Sequence, residues 1–270
     1  MKNKNFLNKI ILAVFIILII LPICVILVWS FTNNYKWPEI LSVNFSLRGW
    51  INVIENSNRI FSSLKSSLII SLFTTIITVI IAIPCAEALV FYEFKGKRLV
   101  EILIFSPVVI PMVAISMGLN TQFMKWHIAR TYFGIILVMI VPCIPYAVSL
   151  LKEVLNIVGD KYIKIATTLG AKRHYIAFKV MIPMIIPGII SASIITFIIS
   201  FSEYFIVYLI GGGKIITFTM EMFPFVKSGE RIFASVYSVI FIIIVSCLLI
   251  IMQKIIRKLY KSSLLNYNLM

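Results

Sequence analysis

Six apolar stretches long enough to cross a bilayer decide what this chain can become. A helix rises about 1.5 Å per residue, so roughly 20 apolar residues traverse a hydrocarbon core of roughly 30 Å. Residues of about 9–31, 66–91, 99–119, 132–151, 184–210 and 233–256 meet that length. Inside a bilayer each backbone amide must be satisfied within its own helix, so the expectation is an all-α membrane protein with six transmembrane helices. Composition agrees, with 61% hydrophobic and only 13% charged residues. A soluble fold could not cover that much apolar surface, which removes soluble enzymes, secreted domains and disordered chains together. The first stretch follows Met-Lys-Asn-Lys but is too long for a signal-peptide core and has no small-x-small site after it, so it is expected to stay as an anchor.

Basic residues set the orientation. With the N-terminus in the cytoplasm, 16 of the 25 Lys and Arg fall on the inside and 9 on the outside, and both termini come out cytoplasmic. The net charge of +15 then reads as topology and not as a nucleic-acid surface. The organisation expected is an anchor and outer loop over 1–65, a core of five spans over 66–256, and a cytoplasmic tail over 257–270. Tyr35, Trp37 and Trp50 in the outer loop suit a membrane interface. Cys24, Cys85, Cys143 and Cys247 each sit in an apolar run and read as buried reduced thiols. No CxxC spacing accompanies them, and His127 and His174 are the only histidines, so neither a metal site nor a catalytic residue is expected.

The longest inside connection, about 152–183, has its own pattern. Lys161 to Leu169 reads as a short helix, with Asp160 as N-cap and Gly170 as a C′ residue that tolerates positive φ. Ile163, Ala166 and Leu169 recur every three residues and form a small apolar face, which needs a surface to bury it, most simply another protein. A second helical stretch, about Ala171 to Met181, runs to Pro183 and Pro187.

Here the residues resemble a known motif. Asp160 to His174, continuing through Val180-Met-Ile-Pro183 to Gly188, is similar to the EAA loop of ABC importer permeases. That pattern is Glu-Ala-Ala, three residues, Gly, nine residues, Ile-x-Leu-Pro. Gly170 takes the Gly position, Ala171 to Lys179 fill the nine, and Val180 to Pro183 fill the last block. Lys164 and Ile165 stand where Glu and the first Ala are usual, and Ala166 is kept. Ser200-Phe-Ser-Glu-Tyr-Phe and Gly211-Gly-Gly resemble the spermidine/putrescine-type subgroup, which also includes iron, thiamine and phosphonate importers.

The resemblance implies a type I ABC importer permease fold in the bacterial cytoplasmic membrane and a division of labour. Two permease subunits, here expected as a heterodimer, form the pathway. Separate ATPase subunits bind ATP, and an extracytoplasmic binding protein delivers a polyamine-like solute. The ATPase-coupling residues would be Asp160, Ile163, Lys164, Ala166, Leu169, Gly170 and Ala171. The chain has no GxxxxGK[ST] loop of its own, so no cofactor is expected in it.

Glu203 is the sharpest pathway candidate, because a carboxylate within a span normally faces a bundle interior or water-filled cavity. Phe201, Ser202, Tyr204 and Tyr208 are expected to line an aromatic, partly polar route beside it; the bland alternative is a structural carboxylate. Glu87 reads as snorkelling to the inner surface near Lys95 or Arg98. Pro107, Pro111, Pro142 and Pro145 are expected to kink the third and fourth spans. Two other functions compete. A membrane lipid transferase would need clustered acidic residues that are missing here, and a secondary carrier driven by an ion gradient would often show an internal repeat.

Overall fold

A computed structural model describes residues 2–33 and 45–267, with side chains described from Ile11 to Lys254 apart from residues 13 and 34–44. Tyr35 and Trp37 lie outside the described residues. Among the described residues the regular elements are helices: α1 (Lys2–Trp29), α2 (Arg48–Glu55), α3 (Ser57–Phe91), α4 (Lys97–Val109), α5 (Met112–Lys125), α6 (Tyr132–Val158), α7 (Lys161–Thr168), α8 (Arg173–Tyr175), a π-helical segment (Ile176–Met181), α9 (Ile182–Ser202), α10 (Phe205–Gly211), α11 (Phe218–Ser228) and α12 (Arg231–Tyr267).

Among the described residues four helices are long and apolar enough to span: Ser57–Phe91, Tyr132–Val158, Arg173–Ser202 and Arg231–Lys254. The apolar part of α1, Val14–Trp29, is shorter. A fifth span exists only if α4 and α5 count as one, and they are bent by 101° to each other. The stretch 99–119, expected to be kinked by its prolines, is therefore broken into two helices. Pro111 disfavours helical geometry at the residue before it, and Ile110 is extended at ψ 128°. Pro142 and Pro145, by contrast, leave α6 one continuous helix. The stretch 184–210 also ends early, because α9 stops at Ser202 and α10 restarts at Phe205.

Two units make up the chain. One comprises Met1–Ser62 and Met220–Ser246, the other Ser63–Thr219 and Cys247–Met270. In the first, α2 closes onto α12, where a Cβ at Gly49 would stand 2.7 Å from Val236 Cγ2. Trp50 stacks on Phe31 at 5.6 Å, and Arg231 lies over the Trp29 ring at 5.3 Å. Arg59 donates to the buried carboxylate of Glu221 at 2.8 Å.

In the second unit one face of α3 points inward along its length. Its N-terminal half carries Ser67, Ser71, Thr74 and Thr78, and its C-terminal half Val79, Ala82, Ala86 and Leu89. The residues of the C-terminal half pack with Ala147, Val148, Leu151 and Leu155 of α6 and with Ile185 and Ala192 of α9. Small side chains let the backbones approach closely, which is how apolar helices gain contact energy in lipid. Gly188 is one such approach, since a Cβ there would meet Val154 at 3.1 Å. Gly134, in the first turn of α6, is another: a Cβ would lie 2.2 Å from the Ile128 carbonyl oxygen. Thr131 caps that turn, accepting from the Gly134 N–H at 3.1 Å. Lys152 of α6 pairs with Glu101 of α4.

Of the four cysteines only Cys143 is buried; Cys24 and Cys247 are exposed and Cys85 is half-buried. All are free thiols. The expectation of buried thiols failed because a spanning helix is apolar on its lipid side too, so an apolar run does not mark an inward face.

Candidate functional site

The segment after α6 begins at Gly159 and turns through α7. Asp160 takes the N-cap position but its side chain makes no capping hydrogen bond. It pairs instead with Lys164 one turn on, at 2.5 Å. The opposite end closes as a Schellman motif: the Gly170 N–H donates to the Thr167 carbonyl at 2.9 Å, and the Ala171 N–H to the Ala166 carbonyl at 3.0 Å. Gly170 holds φ +77°, a left-handed conformation that side chains rarely adopt, and its expected C′ role is met. Arg173 then starts a helix that runs through the π segment into α9 without interruption, so the second stretch is the first part of the candidate span Arg173–Ser202 and not a separate helix. The widened turns precede Pro183, which has no N–H to give the ordinary helical ladder.

The apolar face expected on α7 is divided. Ile163 and Ala166 are half-buried, and Ile163 packs at the edge of the core built by α3, α6 and α9. Leu169 faces away, 81% exposed. With it go Tyr162 at 52% and Ile165 at 47%, which helical spacing places on the same side. Sequence reasoning missed Tyr162 and Ile165. Their three- and four-residue spacing to Leu169 was the available signal, but the three-residue repeat of Ile163, Ala166 and Leu169 hid it. Beneath α7 lies a cavity of about 360 Å³, lined among others by Glu87, Tyr92, Thr167 and Arg173. Glu87 thus lines the space under the loop together with Arg173; neither Lys95 nor Arg98 shares it.

At the other end of α9 the helix breaks at Glu203, which is extended at ψ 126°. The Glu203 carboxylate accepts from the backbone N–H groups of Phe205 at 3.0 Å and Ile206 at 3.1 Å, and so caps α10. The Glu203 carbonyl accepts from the Thr219 hydroxyl at 3.1 Å, and Thr219 meets Thr217 at 3.1 Å. Between them the Phe218 N–H donates to Ser67 on α3 at 2.9 Å. Ser67, Thr217 and Thr219 are the residues sequence reading passed over. Hydroxyls scattered in apolar runs gave no sign that Ser67 reaches the Phe218 backbone or that Thr217 and Thr219 pair.

The five pathway candidates separate. Phe201 is fully buried and stacks on Phe197 at 5.6 Å, so it belongs to the core. Ser202 and Tyr208 are exposed, Glu203 and Tyr204 half-buried, and Tyr204 stacks on Tyr208 at 5.7 Å. Ile195 and Ile199 share a side of α9 with Ser202 by helical spacing. They line an apolar cavity of about 540 Å³ at the bend between α4 and α5, together with Pro111, Pro142 and Tyr146. Gly212 and Gly213, both at positive φ, make the turn out of α10.

Residues 78–262 match the family described as binding-protein-dependent transport system inner membrane component. The chain belongs to this family. It is the inner-membrane permease component of an ABC importer, a transport subunit and not an enzyme, and the family's description implies an ATPase and a binding protein as partners. The permease is 23% identical over 209 residues to a spermidine/putrescine transport system permease protein of Haemophilus influenzae, covering 77% of this chain and 81% of that one. To the protein of the same description from Escherichia coli K12 it is 22% identical over 212 residues, 77% and 78% of the two chains. A molybdate/tungstate transport system permease protein of Pyrococcus abyssi matches at 26% over 151 residues, 56% of this permease and 60% of that relative. Molybdate and tungstate had no place among the sequence-based expectations, which named phosphonate as the anionic alternative. The family assignment removes both the lipid transferase and the ion-gradient carrier.

Proposed function

We propose that this permease forms half of a solute pathway with a second, non-identical permease subunit, and that α7 and the Gly170 turn transmit the ATPase cycle to it. The observation that carries the proposal is the mechanical one: α7 is closed by a Schellman turn, presents an apolar stripe outward, and packs on its other side against the π segment, which with α8 runs unbroken into α9. A push on α7 therefore moves α9, whose far end carries the exposed Ser202 and the half-buried Glu203. This is rigid-body switching of a packed helix by a partner. In this reading α1 is a sixth span, the bent α4–α5 pair is one span, and both termini are cytoplasmic.

For the solute we favour a polyamine-like cation. The relatives named for spermidine and putrescine match along more than three quarters of the permease, whereas the match to the Pyrococcus abyssi molybdate/tungstate relative covers 56% of it. A half-buried carboxylate at the α9 break also favours a cation over an oxyanion. Iron, thiamine and phosphonate are the remaining solutes of the subgroup that the sequence resembles. The test is uptake into proteoliposomes holding both permeases and the ATPase, with the cognate binding protein added. ATP-dependent uptake of spermidine or putrescine is expected; uptake of molybdate or tungstate in its place would reverse the solute assignment, and uptake without ATP would end the proposal.

A further inference from the structure

We infer that the surface receiving α7 on the ATPase is an apolar groove rimmed by carboxylates, so that assembly of this importer is held by charge and is sensitive to salt. The inference rests on the reading that α7 docks an ATPase, and it names the chemistry of that partner. From Gly159 to Pro183 the permease carries Lys161, Lys164, Lys172, Arg173 and Lys179 against the single carboxylate of Asp160. That carboxylate is already committed to Lys164. Among the described residues Lys161, Lys172 and Lys179 are exposed and no ion pair engages them.

The arrangement on α7 gives these charges a direction. Tyr162, Ile165 and Leu169 form the outward stripe, and Lys161, Lys164 and Thr168 occupy the strip beside it. Lys164 remains 73% exposed although it is paired. Beyond the Gly170 turn, Lys172 and Arg173 continue the positive rim. Protein interfaces take this form, an apolar centre with a polar border, and the border of the partner carries the opposite sign. A partner with cations at the rim would meet this face with like charges and be rejected. Lys164 occupies a position where the resembling motif usually has Glu, so the sign at that point of the rim is a property of this chain.

The test uses the full importer, co-expressed with its own ATPase and second permease and placed in nanodiscs. The measured quantity is ATPase recovered with the tagged permease. With the native chain, recovery is expected to fall several-fold between about 0.05 and 0.5 M salt, because screening shortens over that range. The double variant Lys161→Glu, Lys164→Glu should lower recovery at least about tenfold at low salt, the double Gln variant less. Replacing groove carboxylates of the ATPase by Lys should restore the Glu variant, as expected of complementary charge. Size-exclusion profiles confirm that each variant is folded.

A Leu169→Asp variant separates the two layers of the argument. If it abolishes recovery while the charge variants and salt leave recovery unchanged, the docking stands and the acidic groove is overturned. If none of the three perturbations changes recovery, the docking itself is overturned. The competing use of these cations is an anionic lipid surface. Nanodiscs of phosphatidylcholine alone, compared with discs containing phosphatidylglycerol, decide it: a charge-reversal defect confined to the anionic discs would assign the lysines to lipid and refute the inference.

Discussion

Replacing Gly170 tests whether the turn after α7 has to hold its left-handed shape. Gly170 sits at φ +77° and nothing lies within 4 Å of where a Cβ would be. A substitution there meets no neighbour, and its whole cost is the backbone's. For an L residue that cost is about 1–2 kcal/mol, with alanine at the lower end and β-branched valine at the upper. An energy of that size changes a population by a factor of about 5–30. Gly170→Ala should therefore weaken ATPase docking roughly fivefold and Gly170→Val roughly thirtyfold, each with normal amounts of protein in the membrane. Asn tolerates the left-handed region better than other residues, and Gly170→Asn should stay within about twofold of the native chain. The assay is ATP-dependent uptake together with ATPase recovered at equal permease expression. Native uptake by the Val variant would refute the reasoning. So would an Asn variant as defective as Val, because the fault would then be bulk at the docked surface and not φ.

Other perturbations address the α9 break and the packing around it. Glu203→Gln keeps an acceptor oxygen for the Phe205 and Ile206 amides, so a purely capping role leaves uptake nearly unchanged while Glu203→Ala loses about 1 kcal/mol; a raised half-saturating solute concentration in the Gln variant would instead show the charge meeting a cation. Ser67→Ala leaves the buried Phe218 N–H without its acceptor and should cost about 1–3 kcal/mol, read as a lower melting temperature of the solubilised protein, and an unchanged melting temperature would contradict the 2.9 Å bond. Gly134→Ala drives a Cβ into the Ile128 carbonyl at 2.2 Å and should largely abolish folded permease, measured as the monodisperse fraction on size exclusion.

How far the sequence was readable follows from where its information lay. Span length is a one-dimensional property, and α3, α6 and α12 were found from it. Helix breaks were harder. Pro111 ends α4 where Pro142 and Pro145 leave α6 intact, a difference made by neighbours that freed carbonyls find in space. The Gly170 turn was readable because a backbone at positive φ asks for one residue type. Which side of α7 faces out was not, since Ile163 and Leu169 are equally apolar and only the core of α3, α6 and α9 decides between them. Glu203 drew notice as a charge in an apolar run, yet its carboxylate turns to cap α10, a local use that residue identity could not reveal. The Ser67 hydroxyl reaches the Phe218 backbone, between Thr217 and Thr219, across about 150 residues of chain, beyond any local pattern.

Site-specific photo-crosslinking in the native membrane examines the coupling role most directly. A photoreactive residue at position 169 takes the place of the most exposed apolar side chain of the outward stripe, and one at Val109, 85% exposed at the bend of α4, serves as the comparison. The account predicts an adduct between position 169 and an ATP-hydrolysing subunit, strengthened or weakened by nucleotide, with none from position 109. An adduct from 169 only to lipid, or the same products from both positions, would contradict it.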